Sequence, residues 1–111
     1  MNKFIHKELA GGGWGKLSLA EQMGNIGSDV ARAARFEDQD EQLFHGAVSR
    51  TLELFDLTLE DPRWKGRLRE IGRAREVFCD AVYGGKIYGS SLKELTNYFD
   101  QFALAAALKK I

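Results

Sequence analysis

Apolar residues recur every three or four positions in four successive segments of this chain, and no segment alternates apolar and polar residues as a β-strand does. In the first segment the repeat comprises Leu19, Met23, Ile26, Val30 and Ala33. This period matches the α-helical turn, so each segment predicts a helix with one apolar face. Four such helices in 111 residues predict an all-α fold, a four-helix bundle.

Local signals mark the ends of these helices. Capping boxes at residues 18–21 and 91–94 predict the starts of the first and fourth helices. Pro62 ends the second helix, because the residue before a proline avoids the α conformation. The glycine pair at 84–85 predicts a left-handed end to the third helix. The helices are therefore expected at about residues 18–36, 41–60, 64–83 and from 91 onward.

The segment before the first helix is rich in glycine, with Gly11, Gly12, Gly13 and Gly15 close together. Such a composition predicts a flexible arm over residues 1–17, followed by the bundle over residues 18–111. Trp14 is the candidate to anchor this arm to the bundle.

Composition excludes several classes of protein. The chain has no apolar run long enough to span a membrane, and its first residues lack the apolar core of a secretory signal. A single cysteine excludes an internal disulfide and a cysteine-based zinc cluster, and it favours a cytoplasmic location. Lys plus Arg equals Asp plus Glu at 16 each, which argues against nucleic acid or membrane as a partner. No motif for a cofactor or a metal is present, so neither is expected.

Two glycines, Gly24 and Gly27, interrupt the first helix, although each costs about 1 kcal/mol relative to alanine in a helix interior. They lie on one face with other small residues, which favours a second helix packed closely against them. One alternative is a break in the helix, with Ser28 capping a new helix that binds phosphate. Another is a symmetric contact between two copies of the chain.

Arg75 falls in line with the apolar residues of the third helix, which predicts a guanidinium at the centre of that face. A buried guanidinium requires an acidic partner, a bound anion or a route to water. Glu53 and Asp56 on the second helix are the expected partners if the two helices pack antiparallel. The alternative is a ligand anion, such as a substrate phosphate, held by Arg75.

Residues 63–75 contain six cations and one acid, with Arg69 and Arg73 on one helix face. Basic residues beside an aromatic side chain can contact nucleic acid. However, acids continue the same face and line the second helix, so a salt-bridged surface between neighbouring helices is the main expectation. A third interpretation is a metal-dependent hydrolase that would use the acids Glu53, Asp56, Glu76 and Asp80.

The end of the fourth helix is apolar on every side. Leu104, Leu108 and Ile111 point away from its main apolar stripe, and a helix that is apolar all round is normally covered all round. A second copy of the chain can supply this cover, so these three residues form the predicted dimer interface. The alternative cover is the N-terminal arm, through Phe4, Ile5 and Trp14.

Three blocks of the chain resemble a group of small bacterial and archaeal helical proteins of unassigned function: "LSLAEQMGNIGSDVARA", "RTLELFDLTLEDPRWKGRLREIGRAREVFCD" and "YGSSLKELTNYFDQFALAA". In architecture alone the chain also resembles the HEPN and nucleotidyltransferase-partner bundles. Ribonucleases of that group carry an arginine followed five to seven positions later by a histidine, and no arginine precedes His45 at that spacing. The resemblance therefore implies a helical bundle but no catalytic residue.

These observations favour a non-enzymatic protein-interaction module that acts as a homodimer, with a second small protein as a further candidate partner. The alternative is a nucleotide or nucleic-acid binding or processing protein that uses the surface of Arg69, Arg73 and Arg75.

Overall fold

The computed structural model describes residues 12–109, which form an all-α fold without β-strands in that range. A 3₁₀ turn over Trp14–Lys16 leads into α1, and a 3₁₀ segment over Pro62–Arg67 leads into α3. The four α-helices are α1 Leu19–Phe36, α2 Glu41–Leu59, α3 Leu68–Val82 and α4 Leu92–Lys109. The predicted four-helix architecture is confirmed. None of these helices is both long and apolar enough to cross a membrane.

The predicted capping boxes are present. In α1 the Glu21 amide donates to the Ser18 hydroxyl at 3.1 Å, and the Ser18 amide donates to the Glu21 carboxylate at 3.0 Å. Ser91 and Glu94 make the same pair of hydrogen bonds at the start of α4. Each box satisfies two backbone donors that the first helical turn leaves free, which fixes where the helix begins.

The glycines of α1 lie against α4. A Cβ added at Gly27 would lie 2.5 Å from the Cβ of Phe99, and one added at Gly24 would lie 3.3 Å from the Cα of Ala103. Since α1 is helical throughout, no phosphate-binding break occurs at Ser28. The expectation that a neighbouring helix packs against the small face of α1 is confirmed, and the contacts show that α1 and α4 run antiparallel.

The core lies between the four helices and contains Phe55, Phe78 and Phe99, all fully buried. The Phe55 ring lies 6.1 Å from that of Phe78 and 6.0 Å from that of Phe99, centroid to centroid. These distances lie in the range that favours tilted aromatic pairs. α1 packs along both α2 and α4, whereas α3 is held less closely by its neighbours.

The buried face of α3 differs from the predicted one. It consists of Ile71, Ala74, Phe78 and Ala81, so the face is rotated toward the two small alanines. Arg75 therefore lies at the margin of this face, with 34% of its side chain exposed. The prediction of a guanidinium at the centre of the apolar face is wrong, because the alanines, and not the longer residues beside them, point at the core.

α3 also begins later than predicted. The helix expected from Trp64 begins at Leu68, because residues Pro62–Arg67 form a 3₁₀ segment with non-helical backbone angles at Trp64. This conformation allows the Trp64 indole N–H to donate to the Gln22 side-chain oxygen on α1 at 2.8 Å. A contact distant in sequence thus overrides the local helical pattern.

Gln22 is the centre of a buried polar junction at this end of the bundle. Its amide N–H group donates to the Trp14 carbonyl at 2.8 Å and to the Asp61 carboxylate at 3.1 Å. The Trp14 indole donates to the Thr58 hydroxyl at 2.9 Å, and Trp14 belongs to the buried core. Trp14 is thus confirmed as the anchor of the segment before α1, whereas residues 1–11 of the predicted arm lie outside the described residues.

Asp61 gives this junction a pH dependence. The Arg63 guanidinium donates to the Asp61 carboxylate and, together with the Arg63 amide and Gln22, lowers the pKa of Asp61 to about 2. A lowered pKa stabilises the fold above the ordinary value of 3.8, and this stability is lost as the pH falls toward 2. We expect a loss of roughly 2 kcal/mol from Asp61 over that interval.

Urea unfolding at pH 5 and at pH 2 measures this loss. Asp61→Asn is the control, because it removes the titrating group and keeps the size of the side chain. The variant should lose less stability on acidification than the natural chain does. An equal loss in the two proteins would contradict the role of Asp61.

Candidate functional site

Arg75 lies between α2 and α3, where its Nε donates to Asp56 Oδ1 at 3.1 Å. Its Nη1 lies 3.9 Å from the sulfur of Cys79, one turn later on α3. Glu53, the other expected partner, is half-buried on α2 one turn before Asp56. Arg75 thus has the predicted acidic partner on the neighbouring helix. An incoming anion would have to compete with that carboxylate.

The other cations of residues 63–75 are paired close to their own positions. Arg63 binds Asp61 at 2.8 Å, Arg67 binds Glu70 at 3.0 Å, and Arg73 lies 3.9 Å from Glu76. The predicted pairing between neighbouring helices occurs at Arg75, which binds Asp56 of α2, whereas these three pairs join residues close together in the sequence. Arg69 is exposed and has no ion pair among residues 12–109. Most of the positive charge of this segment is therefore balanced at the surface.

The loop between α3 and α4 is held by the acids that the hydrolase interpretation would use. The Asp80 carboxylate accepts from the backbone N–H groups of Ile87 at 3.0 Å and Tyr88 at 2.9 Å. The Tyr88 hydroxyl donates to Glu76 at 3.0 Å, and this bond raises the pKa of Tyr88. Both acids thus already have partners within the chain, and no group of three potential metal ligands occurs among the described residues.

This loop exposes large side chains that were not predicted from the sequence to form a surface. Tyr83 and Ile87 are 81% and 79% exposed. Gly84, Gly85 and Gly89 adopt positive φ, which allows the chain to turn sharply on either side of the exposed residues. The sequence signal for this loop is the glycine spacing, which predicted the end of α3 but not the exposed side chains.

An apolar groove of about 360 Å³ lies between α3 and α4. Its floor and walls are formed by Ala74 and Val77 of α3 and by Leu95, Tyr98 and Phe99 of α4. Glu70, Arg73 and Ser90 lie at its rim. Of the predicted ligand-binding residues, only Arg73 lines this groove. No motif signals this groove, because the groove depends on the separation of two helices.

The last turns of α4 present a second apolar surface. Leu104 and Leu108 are 61% and 59% exposed, and they point away from the core as the periodicity predicted. Ile111, the third residue of the predicted dimer interface, lies outside the described residues.

Comparisons of this chain with models of protein families, with curated proteins and with solved structures give no match.

Proposed function

We propose that this protein is a non-enzymatic interaction module that acts as a homodimer through the last turns of α4. The observation that carries the proposal is the exposed apolar surface at this end. Residues 102–108 contain no polar side chain, and five of them are exposed: Ala103, Leu104, Ala105, Ala107 and Leu108. Removing such a surface from water gains about 25 cal/mol per Å².

A second copy of the chain suits this surface because the surface can pair with itself. Two copies of α4 crossing antiparallel would place Leu104 of one against Leu108 of the other, and the reverse, as a two-fold axis requires. The small alanines between the leucines permit close approach of the helices.

The nucleic-acid alternative has less support. Arg63, Arg67 and Arg75 each lie within 3.1 Å of an acid in the same chain, and the totals of acidic and basic residues are equal. A nucleic-acid surface requires a field of unbalanced positive charge.

The lone cysteine, which has no disulfide partner in the chain, supports a reducing compartment such as the cytoplasm. A second small protein as partner stays a prediction.

Sedimentation equilibrium of the natural chain tests the proposal. We expect a dimer with a Kd of about 1–10 μM, which is ordinary for a modest interface. Leu104→Glu and Leu108→Glu should each weaken it at least about tenfold, because a charge would be buried against an apolar surface. Leu43→Glu is the matched control, since Leu43 is an exposed leucine near the start of α2, remote from the end of α4.

Two results would contradict the proposal. One is a natural chain that stays monomeric at concentrations well above the expected Kd. The other is a monomer that dimerises only when Phe4 and Ile5 are both replaced by aspartate, because the N-terminal segment would then be the cover for α4.

A further inference from the structure

The groove between α3 and α4 has the size and lining of a site for a small molecule. Its volume of about 360 Å³ lies in the range of ligand pockets. Since a water molecule occupies about 30 Å³ of liquid, the groove holds roughly ten non-hydrogen atoms. Ala74 faces α4 with a small side chain, while Leu95 and Phe99 supply an apolar floor. An apolar chain or ring of that size fits this space.

The two charged residues at the rim of the groove, Glu70 and Arg73, differ in how fully they are paired within the chain. Both carboxylate oxygens of Glu70 accept from Arg67, at 3.0 and 3.2 Å, so this acid is already satisfied. Arg73, in contrast, lies 3.9 Å from Glu76, and that carboxylate also accepts the Tyr88 hydroxyl at 3.0 Å. The Arg73 guanidinium also lies over the Tyr88 ring, 5.7 Å from its centroid, so Arg73 is held by a long, shared ion pair and a ring contact. An anion at the mouth of the groove would compete with this weaker pairing for Arg73.

Tyr98 contributes a hydroxyl group to the lining of the same groove. Its ring lines the groove, and its hydroxyl has no hydrogen-bond partner among residues 12–109. Burial raises the pKa of Tyr98, with a smaller contribution from Glu70, so the hydroxyl keeps its proton at neutral pH. The charged groups that act on this hydroxyl are Glu70 and Arg67, so Arg73 is the group that would hold an anion at the groove.

We propose that this groove binds a small apolar monocarboxylate, with its apolar part on Ala74, Leu95 and Phe99 and its carboxylate at Arg73. The site lies on the α3 side of α4, apart from the proposed dimer interface. Ligand binding at the groove does not depend on dimerisation through α4, so either proposal can fail without the other.

Titration of the full chain with octanoate, followed by ¹H–¹⁵N NMR, tests the proposal. We expect saturable shifts at the amides of α3 and α4 around the groove, with a Kd of about 0.1–1 mM for a ligand of this size. Octanol should bind more weakly, and octylammonium more weakly still, because Arg73 repels the cation.

Variants measure separately how the charge of Arg73 and the apolar floor contribute to binding. Arg73→Gln should weaken octanoate binding about 3- to 10-fold and leave octanol binding unchanged. Arg69→Gln is the matched control, since Arg69 lies one turn earlier on α3, does not line the groove, and loses the same charge. Val77→Phe should abolish binding of both probes by filling the groove, with thermal unfolding as the check that the variant folds.

Three results would overturn the proposal. The first is the absence of saturable shifts with octanoate up to about 10 mM, well above the expected Kd. The second is equal affinity for octanoate and octylammonium. The third is an equal loss of octanoate affinity in Arg69→Gln and Arg73→Gln, which would indicate a general effect of surface charge.

Discussion

Replacing Gly27 with alanine is expected to lower the free energy of unfolding by about 1–2 kcal/mol, although alanine is the better helix former. The added Cβ would lie 2.5 Å from the Cβ of Phe99, closer than two carbon atoms can approach. Phe99 is fully buried and in contact with Phe55, so it cannot move aside freely. The cost of separating α1 from α4 therefore exceeds the gain of about 1 kcal/mol in helix propensity.

Gly72→Ala is the matched control for this prediction. Gly72 lies inside α3, and a Cβ added there would meet nothing within 4 Å. The free energy of unfolding of this variant should rise by up to about 1 kcal/mol. The free energy of unfolding of Gly24→Ala should lie between those of the Gly27→Ala and Gly72→Ala variants, because the added Cβ would lie 3.3 Å from the Cα of Ala103. Urea unfolding of the three variants gives the order, and a Gly27→Ala variant as stable as Gly72→Ala would contradict the close α1–α4 contact.

Gln22→Leu is expected to destabilise the fold by about 3 kcal/mol. Gln22 is fully buried, and its side chain satisfies the Trp14 carbonyl, the Asp61 carboxylate and the Trp64 indole. Leucine has a similar size but can satisfy none of them, and each polar group left buried without a partner costs about 1–3 kcal/mol. The apolar gain of the leucine offsets part of this loss.

Gln42→Leu is the control for this change, because Gln42 is an exposed glutamine on α2 and undergoes the same substitution. It should leave the free energy of unfolding within about 0.5 kcal/mol of the natural chain. Tryptophan fluorescence during urea unfolding follows both variants, since Trp14 and Trp64 flank Gln22. Equal stability of the two variants would show that the junction contributes little.

The helices and their caps could be predicted from the sequence because their causes are local. The capping boxes at Ser18 and Ser91 depend on residues three positions apart, and the apolar repeat depends on the helical turn. The close packing at Gly27 could also be predicted, because small residues shared one face of α1.

The polar junction and the groove could not be predicted, because they depend on contacts between residues distant in sequence. The bond between Gln22 and Trp64 joins residues 42 positions apart, and it changed the start of α3. The inward rotation of Ala74 moved Arg75 to the margin of its face and left room for the groove. The periodicity of α3 alone gave no preference for alanines over longer apolar residues at the core.

The antiparallel contact of α1 with α4 brings the start of α1 and the end of α4 to the same end of the molecule. A linker could therefore join these two ends over a short distance, and the turn between α1 and α2 at residues 37–40, at the opposite end, could be opened to create new termini. Such a circular permutant would carry its new termini, with any fused domain or affinity tag, at the end of the molecule opposite the exposed leucines of α4.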